Sequence, residues 1–209
     1  MVAAVAQRWG PAISGWARKV PTWVVYLAGT AWAAWIFVSA LITPDMTVQA
    51  DPAKYLEHRY GIVSLQLLLA GLCVTPLLRF ARINLIKFRR ALGLLAFLFL
   101  ALHFLVWLVL DMALRWSEIG ADLVKRPYIV VGFVAFLLLI PLAVTSWNRA
   151  MKAMSSVAWQ RLHRLVYVAV VLGAVHFVMQ EKVWTTESLI YLALAVGLVG
   201  LRATWIRRW

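Results

Sequence analysis

Two of the four histidines in this sequence lie deep inside long apolar runs, where an ionisable side chain is costly and usually functional. His103 follows Arg90 by thirteen residues, and His176 follows Arg164 by twelve. A helical rise of about 1.5 Å per residue places both imidazoles about 20 Å from the charged ends of their runs. If both runs cross a membrane in the same direction, the two imidazoles reach a similar depth and can face each other.

Two neutral imidazoles on separate helices at one depth are the ligands that six-coordinate heme iron requires. A zinc site would need a third or fourth ligand, but no acid lies inside a predicted span, and Cys73, the only cysteine, lies on another run near the opposite end. Ala169, Gly173 and Ala174 accompany His176 and leave room for a porphyrin face, although small residues also suit close helix packing. The pair indicates a heme site, with structural or proton-relay histidines as the alternative.

A third histidine, His163, lies thirteen residues before His176, at the inner edge of the same run. Thirteen steps of about 100° leave the two side chains roughly 140° apart on a straight helix, so a shared direction requires a bulge or bend. Arg89 and Arg90, not a histidine, stand at the matching depth on the helix of His103. Two interpretations stay open: His163 ligates an inner heme without an obvious second ligand, or it packs near the headgroups.

The composition determines which elements must position these residues. Of 209 residues, 64% are hydrophobic and 14% are charged, which is more apolar surface than a soluble domain of this length can bury. Spanning about 30 Å of hydrocarbon takes roughly 20 helical residues. The uncharged runs are 22–44, 60–78, 91–110, 127–148, 165–180 and 188–201. We predict an all-α integral membrane protein with six transmembrane helices, the last two extended by Arg164 and Arg202 snorkelling toward the headgroups.

The net charge of +13 is explained by membrane topology and not by a nucleic-acid surface, because the basic residues lie in the breaks between apolar runs. With the N-terminus in the cytoplasm, fifteen of the 21 Lys and Arg residues fall on inner segments and all eight acids fall outside. We therefore predict that both termini are cytoplasmic. The predicted divisions are 1–21 as a cytoplasmic segment, 22–206 as the heme-binding transmembrane domain and 207–209 as a short tail.

The N-terminal segment has its own pattern: Trp9, Ile13, Trp16 and Val20 recur at helical spacing beside Arg18 and other basic residues. This is typical of a helix that lies in the inner headgroup layer. A frayed terminus with scattered tryptophans is the alternative.

The inner segment between the second and third runs is strongly basic, with Arg79, Arg82, Lys87, Arg89 and Arg90. Guanidinium groups bind phosphate and carboxylate, so it could hold a flavin phosphate, heme propionates or an acidic partner. Topology alone also accounts for it. Because the chain has no Gly-rich dinucleotide fingerprint, reducing equivalents must come from another protein or from membrane quinone. No catalytic residue is predicted.

Several of these segments together resemble a known family, the heme-binding membrane subunit of the bacterial periplasmic methionine sulfoxide reductase system (MsrQ, or YedZ). The resemblance covers about residues 50 to 191, and the order of its motifs is more specific than any one of them. The segments are 50–58 with Gly61, 89–94 with His103, 126–128, 145–146, 159–163 with His176, and 189–191.

The resemblance implies a ferric-reductase-like domain that binds heme b, with FMN associated, in a bacterial inner membrane. Electrons would pass outward to a periplasmic molybdopterin enzyme that reduces methionine sulfoxide in oxidised proteins, and would come from quinone or a cytoplasmic flavin reductase. By the same resemblance, His103 and His176 match the family's heme ligands, His163 its third histidine, and Arg89 and Arg90 its basic inner loop. Two alternative hypotheses stay open: the same heme protein serves another acceptor such as ferric iron, or the chain is a heme-free small transporter or scaffold.

Overall fold

Six helical segments long and apolar enough to cross a membrane occur in the computed structural model, which describes residues 2–43, 50–181 and 183–206. No strand occurs in these ranges, so the predicted all-α bundle of six spans is confirmed. The predicted tail 207–209 lies outside the described residues. The spans are Thr22–Ile42, Pro52–Ala81, Ile86–Asp111, Pro127–Val144, Ser156–Gln180 and Thr186–Thr204.

The described residues form ten α-helices, some spans being built from more than one element. The third span adds a 3₁₀ turn, Ile86–Phe88, before its α-helix and a π-helical turn, Val106–Asp111, after it. The helices are α1 Val2–Lys19, α2 Thr22–Ile42, α3 Pro52–Ala81, α4 Arg89–Leu105, α5 Trp116–Lys125, α6 Pro127–Val144, α7 Asn148–Ala153, α8 Ser156–His163, α9 Leu165–Gln180 and α10 Thr186–Ile206.

Helix α3 begins eight residues before the uncharged run that predicts it. Asp51 caps it by accepting a hydrogen bond of 2.9 Å from the Lys54 backbone N–H, and Pro52 occupies the first turn, where a missing N–H costs nothing. Glu57 and His58 therefore lie on the helix of the second span, outside the uncharged run 60–78, and the prediction that no acid lies inside a span is wrong. The cap, not the edge of the apolar run, sets where the helix starts.

The interior is divided between two apolar clusters. One joins α3 to α6, α9 and α10 around residues such as Leu72, Leu139 and Val170, and the other joins α2, α3 and α4 around Phe99 and Val63. In contrast, large apolar side chains such as Trp23, Trp35 and Leu41 are exposed on the bundle surface. A surface this apolar is suited to lipid.

Arg202 on α10 was predicted to snorkel toward the headgroups, and this prediction is wrong. Its side chain is buried, and Nη2 donates a hydrogen bond of 3.0 Å to the backbone oxygen of Leu72. The reason lies in α3: Pro76, four residues after Leu72, has no N–H to donate to that oxygen. The guanidinium therefore satisfies a carbonyl that the proline leaves without its helical partner.

The N-terminal segment forms helix α1, as one of the two sequence interpretations expected. Ser14 of α1 accepts a hydrogen bond of 2.9 Å from the Asn84 backbone N–H. Lys87 Nζ donates to the backbone oxygens of Arg18 and Val20 at 2.9 and 2.6 Å. Part of the basic segment between the second and third spans thus fastens α1 to the bundle, while the placement of α1 in the headgroup layer stays a prediction.

Candidate cofactor site

The structure brings the imidazoles of His103 on α4 and His176 on α9 close together. They lie at the end of the bundle that we call the outer end after its predicted orientation. Their ring centres are 6.2 Å apart, and the ring planes are nearly perpendicular, at 82°. The equal depth deduced from residue counts is therefore found in the fold.

Backbone carbonyls from two other helices hold these imidazoles. Nδ1 of His103 lies 2.8 Å from the oxygen of Glu57 on α3, and Nδ1 of His176 lies 2.7 Å from the oxygen of Tyr128 on α6. A carbonyl oxygen can only accept, so each Nδ1 carries the proton. In the neutral ring Nε2 then keeps its lone pair, which is the arrangement found for metal-ligating histidines.

A glycine lies behind each imidazole, four residues after the carbonyl that the ring contacts. A Cβ added at Gly61 would lie 3.1 Å from Nδ1 of His103, and one added at Gly132 would lie 2.7 Å from Nδ1 of His176. Sequence reasoning assigned no role to either glycine or to the two carbonyls. Gly61 and the segments of both carbonyls appear in the family resemblance, but a backbone acceptor has no sequence signature that would assign the role.

A cavity of about 980 Å³ adjoins both histidines. Its apolar wall includes the clustered rings of Phe104, Phe133 and Phe136, and Ala169 and Gly173 line it as expected. Ala174, also predicted to make room there, is instead fully buried in the core. Two residues correspond to about 200° of helical turn, so Ala174 lies on the face of α9 opposite His176.

The outer end of this cavity is bordered by charged residues and by an additional helix. Lys54 and Asp111 form an ion pair of 3.0 Å, and both line the cavity. Helix α5, which the sequence predicted only as part of an outer loop, directs Ile119 and Leu123 to the cavity wall. The cavity is therefore apolar in its depth and polar toward the outer surface.

The residues at this site fit a heme with two axial histidines. A metal–imidazole bond is about 2 Å long and the ring centre lies about 1 Å beyond the nitrogen, so two rings on one iron have centres about 6 Å apart. The observed separation is 6.2 Å. Within the described ranges, no group of three His, Cys, Asp or Glu residues is arranged to hold a metal ion, which is the kind of group that a zinc site would use.

His163 lies at the other, inner end of the bundle with a different hydrogen bond. Its Nε2 lies 3.0 Å from Thr145 Oγ1, and that hydroxyl donates to the backbone oxygen of Pro141 at 2.7 Å. Either atom of this pair can be the donor, and in both cases Nε2 of His163 is engaged by the hydroxyl. The indole of Trp159 stacks on the imidazole with ring centres 3.8 Å apart.

The other predicted site residues are grouped around His163. It lines an inner cavity of about 300 Å³ together with Arg89 and Arg90, and Arg90 Nη1 donates to Asn148 Oδ1 at 2.6 Å. Helix α8 ends at His163 and α9 starts at Leu165, so the fifth span is interrupted there. The sequence-predicted residues thus form two groups: His103 and His176 outside, and His163, Arg89 and Arg90 inside.

The two cavities are adjacent along the bundle axis. Leu68 of α3 and Leu139 of α6 line both of them. Their side chains therefore form a shared apolar wall between the outer and the inner group of site residues.

Comparisons with known proteins agree with this geometry. Residues 57–174 match the family described as ferric reductase like transmembrane component, a range that contains His103 and His163. The chain is 41% identical over 177 residues to the protein-methionine-sulfoxide reductase heme-binding subunit MsrQ of Brucella ovis, covering 85% of this chain and 79% of that one. The MsrQ proteins of Brucella suis and Brucella melitensis match with the same identity and coverage.

Proposed function

Since the chain belongs to the MsrQ family of heme-binding subunits within the ferric reductase like transmembrane components, we propose that it holds heme b between His103 and His176 and supplies electrons to a methionine sulfoxide reductase. The observation that carries the proposal is the pair of imidazoles 6.2 Å apart, each with Nδ1 on a carbonyl and Nε2 left for a metal. The bound group would supply one-electron redox chemistry.

The protein's own residues provide ligation, orientation and exclusion of water. The carbonyls of Glu57 and Tyr128 orient the two ligands and fix their tautomers. Phe104 and Phe133 help to keep the cavity wall apolar, which limits access of water and would favour the less charged, reduced state of a bound heme. Since the relatives that this chain matches are heme-binding subunits, we assign the substrate chemistry to the partner enzyme.

The remaining details rest on the sequence and on the family resemblance. We propose a multi-pass protein of the bacterial inner membrane, with both termini in the cytoplasm and the divisions 1–21, 22–206 and 207–209. The acceptor is a periplasmic molybdopterin methionine sulfoxide reductase, and the donor is quinone or a cytoplasmic flavin reductase. Arg89 and Arg90 at the inner cavity carry the charges that an FMN phosphate would need, and FMN itself is implied by the resemblance alone.

The test is spectroscopic. The full chain is purified in mild detergent, and its dithionite-reduced minus oxidised visible spectrum and pyridine hemochrome content are recorded. We expect a b-type spectrum in the wild type and its loss in His103→Ala and in His176→Ala at equal yield of folded protein. A colourless, well-folded wild type would contradict the proposal and leave transport or scaffolding.

A second measurement tests the acceptor. The chemically reduced protein is mixed with a purified periplasmic methionine sulfoxide reductase and methionine sulfoxide, and the visible spectrum is followed. We expect reoxidation that depends on both additions. In a parallel sample, ferric citrate replaces the enzyme and its substrate. Reoxidation by ferric citrate, with none by the enzyme and methionine sulfoxide, would instead identify ferric iron as the acceptor.

A further inference from the structure

Both heme-ligand histidines approach a backbone carbonyl past a glycine, and the arrangement is the same at two separate helix pairs. On α3 the carbonyl belongs to Glu57 and the glycine is Gly61; on α6 they belong to Tyr128 and Gly132. We propose that Gly61 and Gly132 are positioning residues for heme ligation, because they open the path by which each imidazole reaches the carbonyl that fixes its tautomer. This inference rests on the proposed function, since it assigns a role toward the same heme.

The spacing of four residues has a physical reason. In an α-helix the carbonyl of residue i points toward residue i+4, and the side chains at i and i+4 lie on the same face. A ring nitrogen that donates to the carbonyl at i must come within about 3 Å of its oxygen, and so it must pass over position i+4. Any side chain at that position competes with the imidazole for the same space.

The distances from an added Cβ to the imidazole atoms show how severe this competition is at each glycine. A Cβ at Gly132 would lie 2.7 Å from Nδ1 and 2.9 Å from Cε1 of His176, closer than non-bonded atoms approach. A Cβ at Gly61 would lie 3.1 Å from Nδ1 and 3.3 Å from Cε1 of His103, which is tight but less severe. An alanine should therefore displace His176 more than His103.

Crowding of a histidine is confined to Gly61 and Gly132 among the described glycines, since a Cβ at Gly10 or Gly29 would instead crowd Ala81 or Leu95. A Cβ at Gly71, Gly93 or Gly197 would meet no atom within 4 Å, and one at Gly173 would make only an ordinary contact of 3.9 Å with Leu65. Gly197 on α10 lines neither cavity and lies in a spanning helix. Gly197→Ala is therefore the matched control for a glycine-to-alanine change within a span.

The test compares full-length Gly132→Ala, Gly61→Ala and Gly197→Ala proteins in detergent by pyridine hemochrome content and by electron paramagnetic resonance of the ferric state. We expect Gly132→Ala to lose most of the low-spin signal of two axial histidines, Gly61→Ala to lose a smaller share, and Gly197→Ala to match the wild type. Added imidazole, which can occupy the vacated axial position, should restore the low-spin signal in Gly132→Ala. A general folding defect would not respond to imidazole.

Three outcomes would overturn the inference. One is a Gly132→Ala protein with wild-type heme content and an unchanged low-spin signal. Another is a monodisperse Gly132→Ala protein that lacks the low-spin signal and does not recover it with imidazole. The third is equal loss in Gly197→Ala. If Gly132→Ala does not fold, the same question is decided with the milder Gly61→Ala, by whether added imidazole restores the low-spin signal that this variant loses. A wild type without heme would instead contradict the proposed function, so the two failures are distinguishable.

Discussion

At the outer end of the bundle, His103 and His176 donate from Nδ1 to backbone carbonyls, whereas at the inner end Nε2 of His163 is hydrogen-bonded to the hydroxyl of Thr145. The outer arrangement leaves the lone pair of Nε2 for a metal. The inner arrangement engages the same nitrogen and stacks the ring on Trp159. The two outer histidines and the inner one are thus prepared for different tasks by the partners that they meet.

The two ends also differ in what surrounds the histidines. The outer cavity of about 980 Å³ adjoins two imidazoles, whereas the inner cavity of about 300 Å³ adjoins one imidazole and the cations Arg89 and Arg90. Only the outer end presents a second imidazole opposite the first. From this difference we expect ligation only where a histidine has both a facing partner and a free nitrogen.

The largest expected contrast is between the histidines themselves. His163→Ala should keep the wild-type heme content and spectrum, while His176→Ala should abolish both, because only the outer ring has its Nε2 free in this fold. Pyridine hemochrome stoichiometry on proteins purified in parallel measures the contrast. Loss of a distinct heme fraction in His163→Ala would break the comparison and establish an inner heme ligated by His163.

A smaller effect is expected where the inner end supplies a donor to the backbone. Arg202→Met should destabilise the protein by about 1–3 kcal/mol, because the Leu72 carbonyl loses the donor that replaces the missing N–H of Pro76. In a Pro76→Ala background the helix can supply its own N–H, so the same change should cost less. Denaturant unfolding in mixed micelles is measured for the wild type, the two single variants and the double variant. The difference between the two costs of Arg202→Met is the coupling free energy of the two positions. Equal costs in the two backgrounds would show that Arg202 does not act through that carbonyl.

The smallest effect is expected at a neutral hydrogen bond near the outer end. Tyr60 OH donates to the backbone oxygen of Ala33 at 3.0 Å and links α3 to α2. Tyr60→Phe should cost about 0.6 kcal/mol, in the range measured for interhelical hydrogen bonds in membranes. The same unfolding assay measures it, with Tyr26→Phe on α2 as the matched control. A cost above that of Arg202→Met would reverse the expected order.

The sequence predicted the spans well because lipid imposes one simple rule. Backbone groups in hydrocarbon must be satisfied within the segment, so an uncharged run of sufficient length becomes a helix. The start of α3 was missed because Asp51 and Pro52 start the helix before the charged residues Lys54 and Glu57, which the uncharged run excludes. Helix caps act on the backbone and are independent of hydropathy.

The pairing of His103 with His176 could be predicted because the rise along a helix is fixed, so residue counts give depth. The sequence could not predict which carbonyl each ring meets or that Gly132 makes room for it, since those depend on how α6 rotates and packs against α9. The burial of the Arg202 side chain could not be predicted for the same reason, because its acceptor, the Leu72 carbonyl, lies on another helix.

By itself, the sequence determined that the protein is surrounded by lipid, the number of its spans and the similar depth of His103 and His176, since hydropathy and helical rise are local properties of the chain. Only the tertiary structure decided which nitrogen of each histidine is free, because the tautomer depends on a neighbour from another helix. Contacts with other helices therefore separate the two imidazoles whose Nε2 can bind a metal from the one whose Nε2 is already hydrogen-bonded.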